Sequence, residues 1–383
     1  MSKAWPKIPL GEVARPAERA HAPLPGTTYR QIGVRLWGEG AYERESIDGA
    51  QTKYARLFRA EAGDIIVNKI WARNGSVAVV SDELAGTYGS GEFPMFVPVP
   101  ERLESRWIHW LTRTRSFWAQ CDEKSRGTSG QNRIHPERFL EIEIPLPPLA
   151  EQRCIVARIE ELATQFNEVR ALRVQEETEL SQMLLGAFLR VVRDAPRRAM
   201  GEIAPLVRRP VNVDALESYP ELGIRSFGKG TFHKPALTGL EIGNKRVFHI
   251  EPGDLLFSNV FAWEGAIAVA GPHDAGRIGS HRYITCVPVS GVATAQFLKF
   301  YFLTQEGLRL IGAASPGGAG RNRTLGLTVL EKIAVPVPPI ETQRHFDKLQ
   351  AEVDALKRLQ SETAGELDAL LPAILDRAFK GQL

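Results

Sequence analysis

The chain has 383 residues, 43% of them hydrophobic, and a formal net charge of +3. That length can bury substantial cores and allows two or three domains, while so small a charge identifies no partner by itself. No apolar run approaches the roughly 18 residues a membrane span requires, and Met1-Ser2-Lys3-Ala4-Trp5-Pro6 lacks the apolar stretch of a signal peptide. Cys121, Cys154 and Cys286 show no Cys-x-x-Cys spacing. The expectation is a soluble, cytoplasmic protein with reduced thiols and neither a membrane span, a disulfide framework nor a zinc knuckle.

In chain order, the first feature is a β-rich stretch that the sequence later repeats. Displaced by 190 positions, Gly11-Glu12 falls on Gly201-Glu202, Ile32-Gly33-Val34-Arg35 on Leu222-Gly223-Ile224-Arg225, and Gly63-Asp64-Ile65-Ile66-Val67 on Gly253-Asp254-Leu255-Leu256-Phe257. Asn132-Arg133 falls on Asn322-Arg323, after which one inserted residue moves the offset to 191, so that Pro147-Pro148 meets Pro338-Pro339 and Gln152-Arg153 meets Gln343-Arg344. Solenoid repeats run to about 50 residues, so this period marks duplication of a whole domain with an appended element. Ile65–Val67 and 77–80, like 255–257 and 267–269, read as strands. The Gly-Asp before each first run suits a turn, since glycine tolerates positive φ and aspartate can bond the nearby backbone. Trp107, Trp110, Leu111, Phe117 and Trp118, answered by Phe297, Phe300, Tyr301 and Leu308, have helical spacing and are predicted core.

After each head comes a segment of different character. Ile155, Ile159, Leu162, Phe166 and Val169, then Leu180, Met183 and Ala187, keep a three-four spacing, as do Phe346, Leu349, Val353 and Leu356, then Leu367, Leu370 and Ile374. Both read as coiled-coil seams, interrupted at Arg173 and Glu176 in one and at Gln360 and Thr363 in the other, as expected of two helices made to pair. The Pro-Pro pairs should form a stiff elbow where each begins, and Pro372 should kink or end the second helix. A helix of about 30 residues is about 45 Å long, so the paired coil could act as a ruler of roughly a dozen base pairs, or merely dimerise the chain or cover an exposed face. Net charge is +2 over 1–145 and +5 over 193–335, but −2 over 146–192 and −2 over 336–383. An anionic partner would therefore meet the heads, although a mildly basic solvated surface has the same composition.

Catalytic constellations are absent from the sequence: no His-Glu-x-x-His, no phosphate-binding Gly-x-x-x-x-Gly-Lys-Ser/Thr, no Gly-x-Ser-x-Gly, and no Asn/Asp-Pro-Pro-aromatic motif of an amino-methyltransferase. Candidate binding residues cluster in two loops per head. One is the Gly-rich stretch holding Arg126, Thr128, Ser129, Gln131, Asn132 and Arg133, matched by Arg321, Asn322 and Arg323. Glycines there let backbone approach a phosphate, and Arg, Asn and Gln can bond phosphates or base edges. The other holds Lys69, Trp71, Arg73 and Asn74, matched by Ser258, Asn259 and Trp263, where the frame persists while polar identities change. His281 and Arg282 complete the DNA-binding candidates. A solvated turn, or ordinary drift after duplication, would look the same.

On these residues the whole chain resembles the specificity (S) subunit of type I restriction-modification systems. The marks are Ile144 to Arg153 (IPLPPLAEQR), Val335 to Arg344 (VPVPPIETQR), the repeated Gly-Asp strand, and the terminal Ile374 to Leu383 (ILDRAFKGQL). One departure is that the first helix ends in Leu185 to Arg190 (LGAFLR) without a clear copy of the terminal Phe-Lys-Gly-Gln-Leu. The resemblance implies an α+β fold: two pseudo-twofold-related target recognition domains, 1–145 and 193–335, separated by two long helices, 146–192 and 336–383, forming an antiparallel coiled coil. It also implies a non-catalytic subunit that reads a bipartite site on double-stranded DNA and docks two methylation subunits and restriction subunits. S-adenosylmethionine would reside on the former and ATP with Mg on the latter, leaving this chain without cofactor or metal. The competing readings are a structural adaptor without sequence-specific DNA contacts, and a nuclease or methyltransferase with an unfamiliar site.

Overall fold

The computed structural model describes residues 5–126, 132–317 and 323–382. The chain forms two compact units: Met1–Val174 with Gln360–Leu383, and Gln175–Leu359.

In the first unit, Lys7–Pro9 pairs antiparallel with Glu143–Pro145, bringing the two ends of the head together. Between them lie a four-stranded sheet, in the order Ala14–Pro16, Met95–Pro98, Ile65–Val67, Val77–Val79, and a five-stranded one, in the order Ala20–His21, Leu57–Arg59, Tyr88–Gly89, Thr28–Val34, Ala41–Asp48. Strand Ile65–Val67 is apolar throughout because both of its faces are covered. Ile65 and Val67 join a core with Trp107 and Phe117, while Ile66 faces the other way into a cluster with Ile32, Val34 and Met95. Helices Ser105–Leu111 and Arg115–Glu123 supply the aromatic core predicted for this segment.

The second unit repeats this register residue by residue. Gln31 pairs in parallel with Tyr88, as Glu221 does with Ile278, and Ile65 opposes Val79 as Leu255 opposes Val269. Lys7 opposite Pro145 becomes Arg197 opposite Pro336, the added residue absorbed on one side only. Again the middle strand divides between two clusters, with Leu255 and Phe257 in one and Leu256 in the other.

The Gly-Asp turns form as expected. Gly63 and Gly253 have φ of +85° and +92°, and Asp64 and Asp254 each accept a 2.8 Å bond from the backbone N–H three residues earlier. Each buried carboxylate is also gripped by a guanidinium: Arg19 Nη2 bonds both oxygens of Asp64, and Arg209 makes a bidentate pair with Asp254 through Nη1 and Nη2.

The appended segments are single helices, Leu149–Val192 of 44 residues and Ile340–Phe379 of 40, longer than the sequence pattern indicated. Each starts against its own head through a glutamine. Gln152 donates to the carbonyls of Pro147 and Arg102 and accepts from Glu104 N–H; Gln343 repeats this with Pro338, Val292 and Thr294. The predicted seam needs correction. Val156, Ile159 and Ala163 are buried, as are Leu184 and Phe188, whereas Val169 and Met183 are 40% and 47% exposed. Besides any pairing face, each helix carries a stripe that packs on a head, and that stripe takes the deepest positions. Nor does the second helix end at Pro372: it runs on to Phe379 because Leu375, Ala378 and Phe379 are buried in the core of the first unit. There Phe379 meets Trp107 edge-on at 4.7 Å, and at the corresponding place in the second unit Phe188 meets Phe297 at 5.2 Å with the rings tilted. The two helix ends are therefore equivalent, despite the divergent sequence after Phe188. Antiparallel direction shows in the first unit, where Arg170 bonds Asp368 while Ile159 and Ala163 share a core with Phe379 and Leu375.

Candidate nucleic-acid interface

Three backbone segments converge in each head. Lys69 N–H donates to Glu92 O at 3.1 Å, and Ile134 N–H to Lys69 O at 2.9 Å; Asn259 to Arg282 and Leu325 to Asn259 repeat these bonds at 2.7 and 2.8 Å. The two loops singled out in the sequence are thus tied together, with the 90–93 or 280–283 turn as the third member. Beside this junction each head has a cleft, of about 450 Å³ in the first and about 600 Å³ in the second.

The clefts occupy the same place on the repeat. Positions 31, 44, 47, 57, 68, 70, 88, 90 and 93 line the first, and their counterparts 190 residues on line the second. The framework is shared but the chemistry is not. Gln31 and Arg44 in one cleft are replaced by Glu221 and Lys234 in the other, Asn68 by Ser258, and Phe93 by Tyr283. In the second cleft Lys234 Nζ bonds Glu221 Oε1 at 3.0 Å and lies 5.9 Å from the centre of the Tyr283 ring. Burial works against the Lys234 charge, but the bond to Glu221 and the nearby Tyr283 outweigh it and raise the ammonium pKa. In the first cleft Arg44 is exposed and stands opposite a neutral Gln31.

Ser258, His281 and Arg282 line the second cleft. Lys69 and Asn259 stand at the backbone junction, each flanked by residues that line a cleft. Trp71 is 44% exposed in the same loop. Arg133 pairs with Glu92 at 3.5 Å, and Arg323 lies over Trp263 at 5.0 Å. Asn132 is half-buried in the same returning segment. Asn74 and Trp263 do not line the clefts: the Asn74 backbone carbonyl accepts from Trp37 N–H, and the Trp263 indole N–H is spent on Val260 O. Arg73 lies on this same short turn, half-buried. Thr128, Ser129, Gln131, Arg321 and Asn322 lie outside the described residues, as does the side chain of Arg126.

Sequence reasoning missed Gln31, Arg44, Glu221 and Lys234. Their signal was available, since a polar identity that changes beside the kept Ile/Leu-Gly-Val/Ile-Arg frame is the criterion that singled out 68–74. Elsewhere, burial pushes the Cys286 thiol up to about 12 and the Cys121 thiol higher still, leaving both protonated; Cys154 is exposed and free. Among the described residues no group of His, Cys, Asp or Glu could hold a metal ion, and no helix is long and apolar enough to cross a membrane.

Two copies of one head, sharing a frame and differing in cleft chemistry, with long helices anchored to the heads, define a duplicated recognition protein. Residues 4–177 match the family model described as the type I restriction modification DNA specificity domain. Over 321 residues, 74% of this chain and 67% of the relative, the sequence is 23% identical to the type I restriction enzyme StySPI specificity subunit of Salmonella potsdam. It is 21% identical over 315 residues, again 74% and 67%, to the EcoKI specificity subunit of Escherichia coli K12. The fold is similar to the HsdS subunit of Thermoanaerobacter tengcongensis, with a TM-score of 0.64 and 24% identity over 100% of this chain and 98% of that one. It is also similar, with a TM-score of 0.72 and 23% identity over the full length of both chains, to a chain from a structure concerned with complex assembly and conformational transition of the type I R-M system. Residues 4–177 thus match the type I restriction modification DNA specificity domain, and over 74% of its length the chain is similar to type I restriction enzyme specificity subunits.

Proposed function

We propose that each head, residues 1–145 and 193–335, reads one half of a bipartite duplex site through its cleft, and that the helices of 146–192 and 336–383 set the gap. The observation that carries this reading is the pair of clefts at one repeat position with a common frame and different linings. Recognition of two unlike half-sites requires the scaffold to persist while the reading groups change. Arg44 with Gln31 offers donors suited to guanine and adenine edges. Glu221 with Lys234 presents an acceptor and a donor already joined, so that cleft selects a different edge or a different base. Lys69, Trp71, Arg282 and Arg323 flank the clefts as supporting contacts.

In this reading the chain makes and breaks no bonds. Methylation subunits dock on the helices and bring S-adenosylmethionine, and restriction subunits bring ATP and Mg; the chain supplies binding energy and the address. Nuclease protection of genomic fragments by the chain assembled with methylation subunits tests the proposal. Two protected windows around a spacer of free sequence are expected. A single continuous window would refute the bipartite reading, and protection with no sequence preference would return the chain to an adaptor role.

A further inference from the structure

We propose that Arg35 and Arg225 are a matched pair of phosphate clamps, one at the rim of each cleft, which grip duplex backbone regardless of base sequence; this rests on the recognition reading above. Each guanidinium lies over an aromatic ring on the neighbouring strand: Arg35 Cζ is 4.7 Å from the Tyr42 centroid and Arg225 Cζ 4.9 Å from that of Phe232. The ring has room only because a glycine stands opposite it. A Cβ on Gly33 would lie 2.8 Å from Tyr42 Cε1, and one on Gly223 would lie 2.3 Å from Phe232 Cε1. Both arginines close the same turn, donating their backbone N–H to Gly40 O and Gly230 O at 2.9 Å. Glycine, ring and guanidinium thus form one device, built twice.

The device stands on the ribbon face that enters the cleft, since Gln31 and Arg44 line the first cleft and Phe232 itself lines the second. Both arginines are exposed, and among the described residues neither is paired with a carboxylate. Stacking holds one face of each guanidinium, and Arg225 is further fixed by Nη1 donating to Thr231 O at 2.9 Å; the N–H groups that remain point past the ring, where they can bond a phosphate. The contrast along one strand face assigns the ligand. Positions 31/221 and 44/234 change between heads, as groups reading different bases must, whereas 33/223, 35/225 and 42/232 keep their chemistry. Phosphate is the part of DNA that is the same under every base.

The test is a salt titration of the full chain on labelled random-sequence duplex, followed by anisotropy from about 50 to about 200 mM KCl. Arg35→Ala and Arg225→Ala should each reduce the slope of log K against log salt by about 0.9, and the double variant by about 1.8. Each loss should cost on the order of 8-fold in affinity near 0.1 M salt, by the same factor on every duplex sequence. Arg35→Lys, which keeps the charge, should retain the slope. An unchanged slope in the double variant, or a loss confined to duplexes with one particular base, overturns the clamp. A wild-type chain that binds no duplex at all overturns the recognition reading with it.

Discussion

Gln152 and Gln343 are fully buried, and each satisfies two carbonyls and one N–H of its own head at the first turn of a long helix. The Gln-Arg in the duplicated motif is therefore a joint between head and helix. Gln152→Ala would strand three backbone groups, and local opening measured by hydrogen exchange at 102–104 and 147–152 should become easier by about 2 kcal/mol. His109 offers a pH test at the same scale. Its imidazole is pushed down to about 3, first by burial and then by the Arg113 and Arg106 charges. The unfolded chain takes up that proton near the ordinary 6.5, so its contribution to stability is fully present above that pH and is lost as pH falls from 6.5 toward 3. Between pH 6.5 and 5 the loss approaches about 2 kcal/mol, and thermal unfolding of His109→Gln should show a shallower acid dependence over that interval. The turn-forming role of Gly63-Asp64 was legible because it is local. Its partner Arg19 was not, because 45 residues of chain separate the two.

Both long helices were visible from their three-four spacing, yet the buried positions were partly misassigned. Spacing reports that a residue is apolar, not which of two neighbours it faces. Val156, Ala163 and Leu184 are buried at positions outside the predicted seam, while Leu370, inside it, is 44% exposed. One boundary of the two compact units falls within the interruption at Arg173 to Glu176, and the interruption at Gln360 to Thr363 begins at the other, which makes them the place to alter helix length without disturbing either head. Seven residues inserted into each helix there add about 10 Å, so the spacer in the methylated motif should grow by about three base pairs. A spacer of unchanged length would refute the ruler role. The cleft residues on the paired ribbons escaped notice for a different reason. Alternation along a strand marks Gln31 and Arg44 as facing the same side, but which side becomes concave depends on how two sheets pack.

At the scale of the whole molecule, each unit is completed by the far end of a helix that begins in the other. Phe379 enters a core with Trp107, and Phe188 enters one with Phe297, Phe300 and Phe346. Phe379→Ala should cost about 3 to 5 kcal/mol, and hydrogen exchange should localise the loss to residues 5–174, with the second head unchanged. Phe188→Ala should do the reverse. The duplication was the most legible feature of the chain, since an offset of 190 residues recurs in strand register, ion pair and cleft. The meaning of the terminal Ala-Phe was not legible, because a helix end reads as apolar whether or not a core receives it.

The central claim is that two heads address two half-sites independently. The direct measurement is methylation mapping in cells that carry the chain with its methylation partner, first as wild type and then with residues 1–145 exchanged for those of another specificity subunit. The account predicts a motif in two parts, of which the exchange alters one and leaves the other and the spacer intact. A single continuous motif, or a change in both halves, would contradict it.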